Sequence, residues 1–425
     1  MSRRRLKKSI KSRIDNKGKA KTNRKKFVRN PRWAPWKNKI LLALFLVIIL
    51  ILAIFTTKYL YKPVKDDWTV MVYMAGDNSL SGIIDQNLDS MKKVGSNENV
   101  DVVALTDQSG DQDSKLYHVE KGLLKELPIS SIELSGLNEI DTGKPGTLSS
   151  FGEYVIKEYP SKHYMLIMWG HGNGWQGLAT DKGGSVLTMS EFRTALDDIV
   201  EANNGTKLDI IGFDACAMAT IEGFYEVSNY ADILVASQKK EPDAGWPYEQ
   251  ILNGVASGKY NSPDAMAKNI VTEYVNAYET GQLPSQDFSV GMTAIKTQKN
   301  NELYAAFQRF AAALSGLNDA DKNKITGIRD DVESYEDKDN IDFRDLIERI
   351  SKMDLNDKRI QLDLQDLLFA MNDVIITEEH WNNPNSTITI NHGDLCIYFP
   401  KGVVDPGYKD TAMAQFSQWD EFING

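Results

Sequence analysis

One thiol and one imidazole stand out by where they fall. His171 follows the apolar run Tyr164-Met165-Leu166-Ile167-Met168-Trp169, within Gly170-His171-Gly172-Asn173-Gly174-Trp175. Cys216 follows Leu208-Asp209-Ile210-Ile211-Gly212-Phe213, within Asp214-Ala215-Cys216-Ala217-Met218. Short apolar runs closed by glycine and polar residues are expected to be strands buried on both faces of a parallel sheet. Open α/β sheets set their working residues just past the carboxyl ends of the strands. A cysteine beside a histidine there is a route to an activated nucleophile.

The elements between the two residues support this. His171 lies 45 residues before Cys216, room for one crossover helix. Ser190 is the expected N-cap, and Phe192, Leu196, Ile199 and Val200 recur at helical spacing behind it. A right-handed strand–helix–strand unit sets its two strands parallel and adjacent. The remaining candidates are ordinary: Cys396 reads as a small core hydrophobe, and His118, His163, His380 and His392 have no matching partner.

Composition bounds the class. The 425 residues are 42% hydrophobic and 25% charged, ordinary for globular domains. Two cysteines give no disulfide framework, so free thiols are expected. Zinc is disfavoured, because no His-x-x-x-His or Cys-x-x-Cys spacing occurs. A carboxylate-based glycosidase needs two acids set across a cleft, and the acids here are scattered.

Charge is divided sharply. Residues 1–39 hold seventeen Lys/Arg and one acid, Asp15. They carry +16 against −10 for the whole chain, which leaves −26 on residues 40–425. Residues 40–57 contain no charge, with Trp33 and Trp36 on one flank and Tyr59 and Tyr61 on the other. That reads as a membrane helix with interfacial aromatics. The positive-inside rule puts the basic arm in the cytoplasm and the rest outside, a single-pass protein of the cell membrane. A cleaved signal peptide is the weaker reading, since no small-x-small site follows. The arm is a topology signal that contacts anionic lipid. No nucleic-acid partner is expected, because no base-reading module accompanies it.

Beyond a linker at 58–66, strands and helices alternate through residues 67–288, which argues for one α/β domain. Trp68–Gly76, Val100–Leu105 and Ile233–Ser237 are expected strands. Lys115–Val119 and Leu123–Leu127 form an expected hairpin turned at Gly122. Residues 289–425 are expected to be a mainly helical subdomain. Its helices fall near 302–314, 342–353, 361–376 and 411–423, and a strand pair near 386–390 and 395–399 returns to the core.

The segments Trp68–Gly76 with Asp77-Asn78, His171–Trp175, Asp214–Met218, Gly245-Trp246-Pro247-Tyr248 and Leu395–Pro400 together resemble the clostripain family of cysteine peptidases, relatives of caspases, legumains and gingipains. The His-to-Cys spacing is also close to that of caspases. The resemblance covers most of residues 67–400 and leaves out the arm and apolar run. It implies a caspase-like α/β sandwich and an endopeptidase with His171 as general acid/base and Cys216 as nucleophile. Backbone N–H groups of Gly172 and Cys216 are the expected oxyanion donors. No third triad residue is evident. Asp214, two before the cysteine, corresponds to the family's S1 aspartate, which implies polypeptide substrates with Arg or Lys at P1; the other role open to it is capping a helix begun near Cys216. Asp243 is either a second S1 wall or a turn residue. Two family traits follow as expectations. Self-cleavage between the His and Cys blocks would use Lys182. No cofactor is required, though some members respond to calcium, and Asp107, Asp111 and Asp113 form an acidic loop without EF-hand spacing. The competing class is a catalytically inactive relative acting as a surface binding module.

Overall fold

The computed structural model describes residues 39–50, 67–132, 139–335 and 338–424. Residues 39–50 are helical with exposed side chains. Twelve residues rise roughly 18 Å, short of a ~30 Å hydrocarbon core. Among the described residues no helix is long and apolar enough to cross a membrane. The rest of the expected span, 51–57, lies outside the described residues, as do residues 1–38 of the basic arm and the 58–66 linker.

The described residues from 67 to 424 form one compact unit. Its centre is a nine-stranded sheet in the order β10-β8-β7-β6-β5-β1-β2-β3-β4. The strands are β1 (Trp68–Ala75), β2 (Val100–Asp107), β3 (Lys115–Glu120), β4 (Leu123–Leu127), β5 (His163–Trp169), β6 (Leu208–Asp214), β7 (Ala231–Ala236), β8 (Val290–Lys296) and β10 (Ile375–Trp381). Five central strands run parallel. The edges are antiparallel.

Side-chain alternation divides the core. Met71, Tyr73 and Ala75 of β1 face one apolar layer with Phe151, Phe192, Phe224 and Phe307. Val70, Val72 and Met74 face the other, with Ile84, Leu88, Trp246, Ile251 and Tyr274. A strand covered on both faces is nearly continuously apolar, and β1 is buried at all eight positions, with the Thr69 hydroxyl donating to Tyr159 O. The result is a three-layer α/β/α sandwich.

Several expectations change in detail. The hairpin forms, with Gly122 at φ 76°, and β3 pairs with β2, so it extends the sheet. The crossover helix is Met189–Ala202, and Thr188, not Ser190, is its N-cap: Thr188 Oγ1 accepts from Glu191 N–H while Glu191 returns a bond to Thr188 N–H. The division expected at residue 288 would cut this sheet in two, since β8 and β10 lie beyond it. The helix expected to reach residue 376 stops at Val374, and the chain turns directly into β10. Residues 386–390 form no strand. The late strand β11 (Cys396–Tyr398) pairs instead with β9 (Asn340–Asp342) in a separate two-stranded sheet.

Candidate active site

The parallel register of β5 and β6 pairs Trp169 with Asp214. His171 and Cys216 each lie two residues past that pair, so they occupy equivalent positions beyond neighbouring strands about 4.8 Å apart. Gly170 N–H donates to Asp214 O at 3.2 Å and keeps the two exits together. A Cβ on Gly170 would meet Ala75 O at 2.7 Å, and one on Gly172 would meet Cys216 O at 2.5 Å. Both positions therefore require glycine for close approach.

The thiol stands on a short loop rather than on a helix. The next helix is Ile221–Val227, capped by the Thr220 side chain. Ala217 takes φ 57°, a left-handed conformation that costs an L-residue roughly 1 kcal/mol or more. The loop is braced from both sides. Ala217 and Ala219 N–H groups donate to Lys239 O and Ser237 O, and Cys396 N–H donates to Ala219 O at 2.8 Å. The Cys216 sulfur accepts from Glu241 N–H at 3.4 Å. A thiolate accepts such a bond more strongly than a thiol does. Neither Cys216 nor Cys396 is in a disulfide.

His171 is half-buried, and that burial holds its imidazole below the ordinary value; Asp243 pulls it upwards and Lys240 adds to the lowering. The ring is therefore mainly neutral near pH 7 and able to take a proton. Ser79 Oγ lies 2.9 Å from Nε2. With the proton on Nε2, Ser79 accepts it and Nδ1 carries the lone pair. Ser79 sits just past the end of β1, the strand beside β5. Asp77, Asn78 and Ser79 are of residue types that cap helices. Instead no side chain caps the helical turn that starts at Ser81, and the serine meets the histidine. Its signal was position alone, a hydroxyl beyond a third buried strand.

A cavity of about 220 Å³ opens beside the pair, lined by Ser79, His171, Asp214, Cys216, Glu241 and Asp243, among others. Asp214 does not cap a helix. It is 5% exposed, and its Oδ2 accepts from Tyr248 OH at 2.8 Å and Trp246 N–H at 3.2 Å. Burial pushes this carboxyl up to about 7 against those lowering bonds. Glu241, also 5% exposed, was missed from sequence. Burial, then the Asp214 charge, pushes it well above the usual range. Two adjoining buried carboxyls cannot both ionise cheaply without a counter-cation. Asp243 is exposed at the rim, tied to Gln286 by two bonds of 2.9 Å. It thus borders the cavity and is also a loop anchor.

Gly172 is paired with Leu178 across an isolated bridge. The ladder bonds there come from Asn173 N–H to Gly177 O and Ala179 N–H to His171 O. In such a non-hydrogen-bonded pair the Gly172 N–H points away from its partner. Lys182 is exposed in a turn closed by Gly184 N–H to Asp181 O, 2.9 Å. The expected acidic loop is rearranged. Asp107 groups with Asp77 and Asp181, and separately with Asp113 and Glu139; Asp111 belongs to neither set. All-carboxylate sets of this kind suit a hard cation.

Replacing Ser79 by Ala is expected to lower kcat about tenfold with little change in KM, while Ser79→Thr retains most of the rate. Equal kcat and an unchanged pH profile in Ser79→Ala, measured on any peptide the enzyme cleaves, removes the serine from the site.

Comparison with known proteins agrees with this fold. The clostripain family model matches residues 72–423. Clostripain of Hathewaya histolytica is 24% identical over 400 residues, covering 79% of this chain and 74% of its own length. Among solved structures, a secreted C11 cysteine protease from Bacteroides thetaiotaomicron bound to an irreversible peptide inhibitor superposes with TM-score 0.62 at 19% identity, covering 84% of this chain and 99% of the other. An inactive zymogen C11 protease from Parabacteroides distasonis gives TM-score 0.61 at 20% identity, over 86% and 100%. At these identities the structural likeness speaks for the fold, while the family match spans most of the chain. The chain belongs to the clostripain family of cysteine peptidases.

Proposed function

We propose that this enzyme is an endopeptidase that cleaves polypeptides after basic residues, Arg and secondarily Lys, through a Cys216/His171 dyad. The cavity with two buried acids at the dyad's side carries the reading. Cys216 sulfur attacks the scissile carbonyl after its proton passes to His171. The carbonyl oxygen becomes an oxyanion, for which the outward Gly172 N–H and the Cys216 N–H are the donors. His171 returns the proton to the leaving amine, an acyl-enzyme remains, and water activated by the same imidazole releases it. A P1 guanidinium entering the cavity supplies a counter-cation to the Asp214–Glu241 pair, with Asp243 at the rim. Arg suits the pair better than Lys because its planar fork engages carboxylates bidentately.

Self-cleavage after Lys182 fits the same specificity: the residue is basic, exposed and in a turn between the His and Cys blocks. Anchoring through residues 40–57, with the basic arm in the cytoplasm and the peptidase outside, follows from the charge division alone. The clostripain of Hathewaya histolytica shares the family, which supports the basic preference without deciding it.

The first expected outcome has two readouts of the dyad. Among matched fluorogenic peptides with P1 Arg, Lys, Asp and Asn, the full-length wild type cleaves Arg best and Cys216→Ala cleaves none. Its purified wild-type form shows a mass cut after Lys182 that Cys216→Ala lacks. Preference for Asp or Asn overturns the pocket assignment, and activity surviving in Cys216→Ala overturns the dyad.

The second outcome concerns pH. Asp214 holds its proton up to about 7 in the empty pocket, so a cationic P1 must displace that proton at lower pH. The kcat/KM ratio of P1 Arg to its neutral isostere citrulline should rise as pH increases through about 7 and then level. A ratio flat with pH in the wild type removes the ionisation from specificity. The third is that the full chain stays in the membrane pellet after alkaline carbonate washing and a chain lacking residues 40–57 does not; release of the full chain ends the anchor assignment.

A further inference from the structure

The cavity wall that carries Asp243 leans on a turn whose residues are poorly suited to it. Between the helix Pro263–Glu279 and β8 the chain turns at residues 285–288, closed by Phe288 N–H donating to Ser285 O at 2.9 Å. The two central residues, Gln286 and Asp287, take φ 51° and 63°. Six non-glycine residues among those described are left-handed, and these two alone are consecutive. A turn with both central φ angles positive favours Asn-Gly. Gln and Asp each bring a Cβ into that backbone, so both positions are strained. The strain is held from two sides. Behind the turn, Asn383 Nδ2 donates to Ser285 Oγ at 2.9 Å, and Ser289 Oγ donates to Ile388 O at 2.7 Å while accepting from Asn383 N–H at 3.2 Å. In front, Asp243 N–H donates to Gln286 Oε1 and Gln286 Nε2 donates to Asp243 Oδ2, both at 2.9 Å. The Lys240 ammonium lies 5.3 Å from the centre of the Phe288 ring.

Lys240 and Asp243 line the cavity, and Gln286 does not. Gln286 thus stands behind a lining residue and out of contact with whatever enters. Asp243 is exposed, and an exposed side chain keeps its rotamer freedom unless something holds it. The pair with Gln286 holds both its main chain and one carboxylate oxygen. The charge so fixed also reaches His171, whose imidazole it draws upwards. Connecting a helix to β8 does not by itself call for this turn, because Asn-Gly in the same place would be less strained. Only a long amide side chain at residue 286 gives Asp243 its reciprocal pair of bonds. Strained backbone of this kind persists where the surroundings over-determine it, and it gathers at ligand clamps.

We propose that Gln286 is a positioning residue for specificity: its strained turn holds Asp243 at the cavity rim, so that a P1 guanidinium meets a carboxylate already in place. This role rests on the basic-P1 reading and adds to it a residue 43 positions from Asp243 in the chain. Holding Asp243 in advance removes the ordering of one side chain from the binding step. Asp243 acts on the P1 cation and not on the reacting carbonyl, so the benefit falls on KM and leaves kcat alone. A neutral P1 side chain draws no benefit from it.

The test measures kcat and KM of the full-length enzyme on a P1 Arg peptide and on its P1 citrulline isostere. Gln286→Gly removes the two bonds and the left-handed strain together, so it is expected to melt close to the wild type. Its KM for the Arg peptide is expected to rise about fivefold with kcat kept, while its KM for the citrulline peptide stays. Gln286→Asn, one methylene shorter and tolerant of the left-handed backbone, is expected to behave alike. Asp287→Gly relieves the neighbouring strain and keeps the Gln286 bonds, so its KM for the Arg peptide is expected to match the wild type. In an Asp243→Ala background Gln286→Gly is expected to add no further rise. An unchanged KM in both Gln286 variants, an equal rise on the two peptides, an equal rise in Asp287→Gly, or a full effect without Asp243 overturns the role of Gln286 and leaves the Arg preference standing. A wild type that prefers Asp or Asn at P1 overturns both, and the wild-type peptide panel alone reveals that case.

Discussion

The site depends on one registration: β5 beside β6, parallel, with Trp169 opposite Asp214. A slip of one residue would turn every side chain of a strand to the opposite face. Here slippage is blocked by burial on both faces, since all but the first residue of β5 and the second of β6 are buried. Gly212 adds a steric lock on β6. A Cβ there would meet the Trp246 ring at 2.6 Å, and Trp246 N–H is also a donor to Asp214. The helix layer that holds the strand in register thus also fixes the carboxyl at the pocket's base.

That geometry has an electrostatic consequence. Asp214 is kept in the apolar interior by hydrogen bonds from groups that cannot move far, Tyr248 OH and Trp246 N–H, and Glu241 is buried beside it. Tyr278 OH in turn donates to Gly245 O at 2.7 Å, and Gly245, at φ 66°, lets its backbone pass close to the Asp214 carboxyl. A protein that only needed to fill this space would gain by placing hydrophobic residues there. The two adjoining buried acids, whose protonated forms burial favours, are what the proposed preference for a basic P1 rests on. Under that proposal, the energy withheld from folding is recovered when a cation enters.

The strand ends were legible in the sequence because buried parallel strands have nearly continuous apolar runs, and glycine marks where they stop. That placed His171, Gly172, Asp214 and Cys216 at one rim. What was not legible was every feature that joins segments far apart in the chain. Glu241 reads as one acid before a proline, and only folding brings it against Asp214. Ser79 reads as a cap, because serine after a strand usually is one. Asp77 and Asp181 are separated by more than a hundred residues and meet through the β1–β5 neighbourhood. Strand β10 was hidden differently. Its sequence Ile375-Ile376-Thr377-Glu378-Glu379-His380-Trp381 is half-buried throughout, as an antiparallel edge allows. Its apolar start continues the pattern of the preceding helix, so periodicity gave no boundary. β9, three residues long, offers too few positions for any period.

The loop that bears Cys216 shows why distant segments had to be recruited. The half-buried Cys216 stands on a rigid support, yet Ala217 beside it is held in a conformation that L-residues avoid. Such strain persists only where surrounding structure over-determines it. The bonds that do so come from the segment after β7, through Lys239 O and Ser237 O, and from β11, through Cys396 N–H. β11 is held by β9 and by Glu222, whose Oε1 accepts from Tyr398 N–H and Tyr408 OH. Glu222 lies on the helix that begins five residues after Cys216. The C-terminal residues are thus a clamp on the Cys216 loop, closed through the helix that the loop itself starts, and this is why they belong to the same compact unit as the strands that deliver the thiol and imidazole.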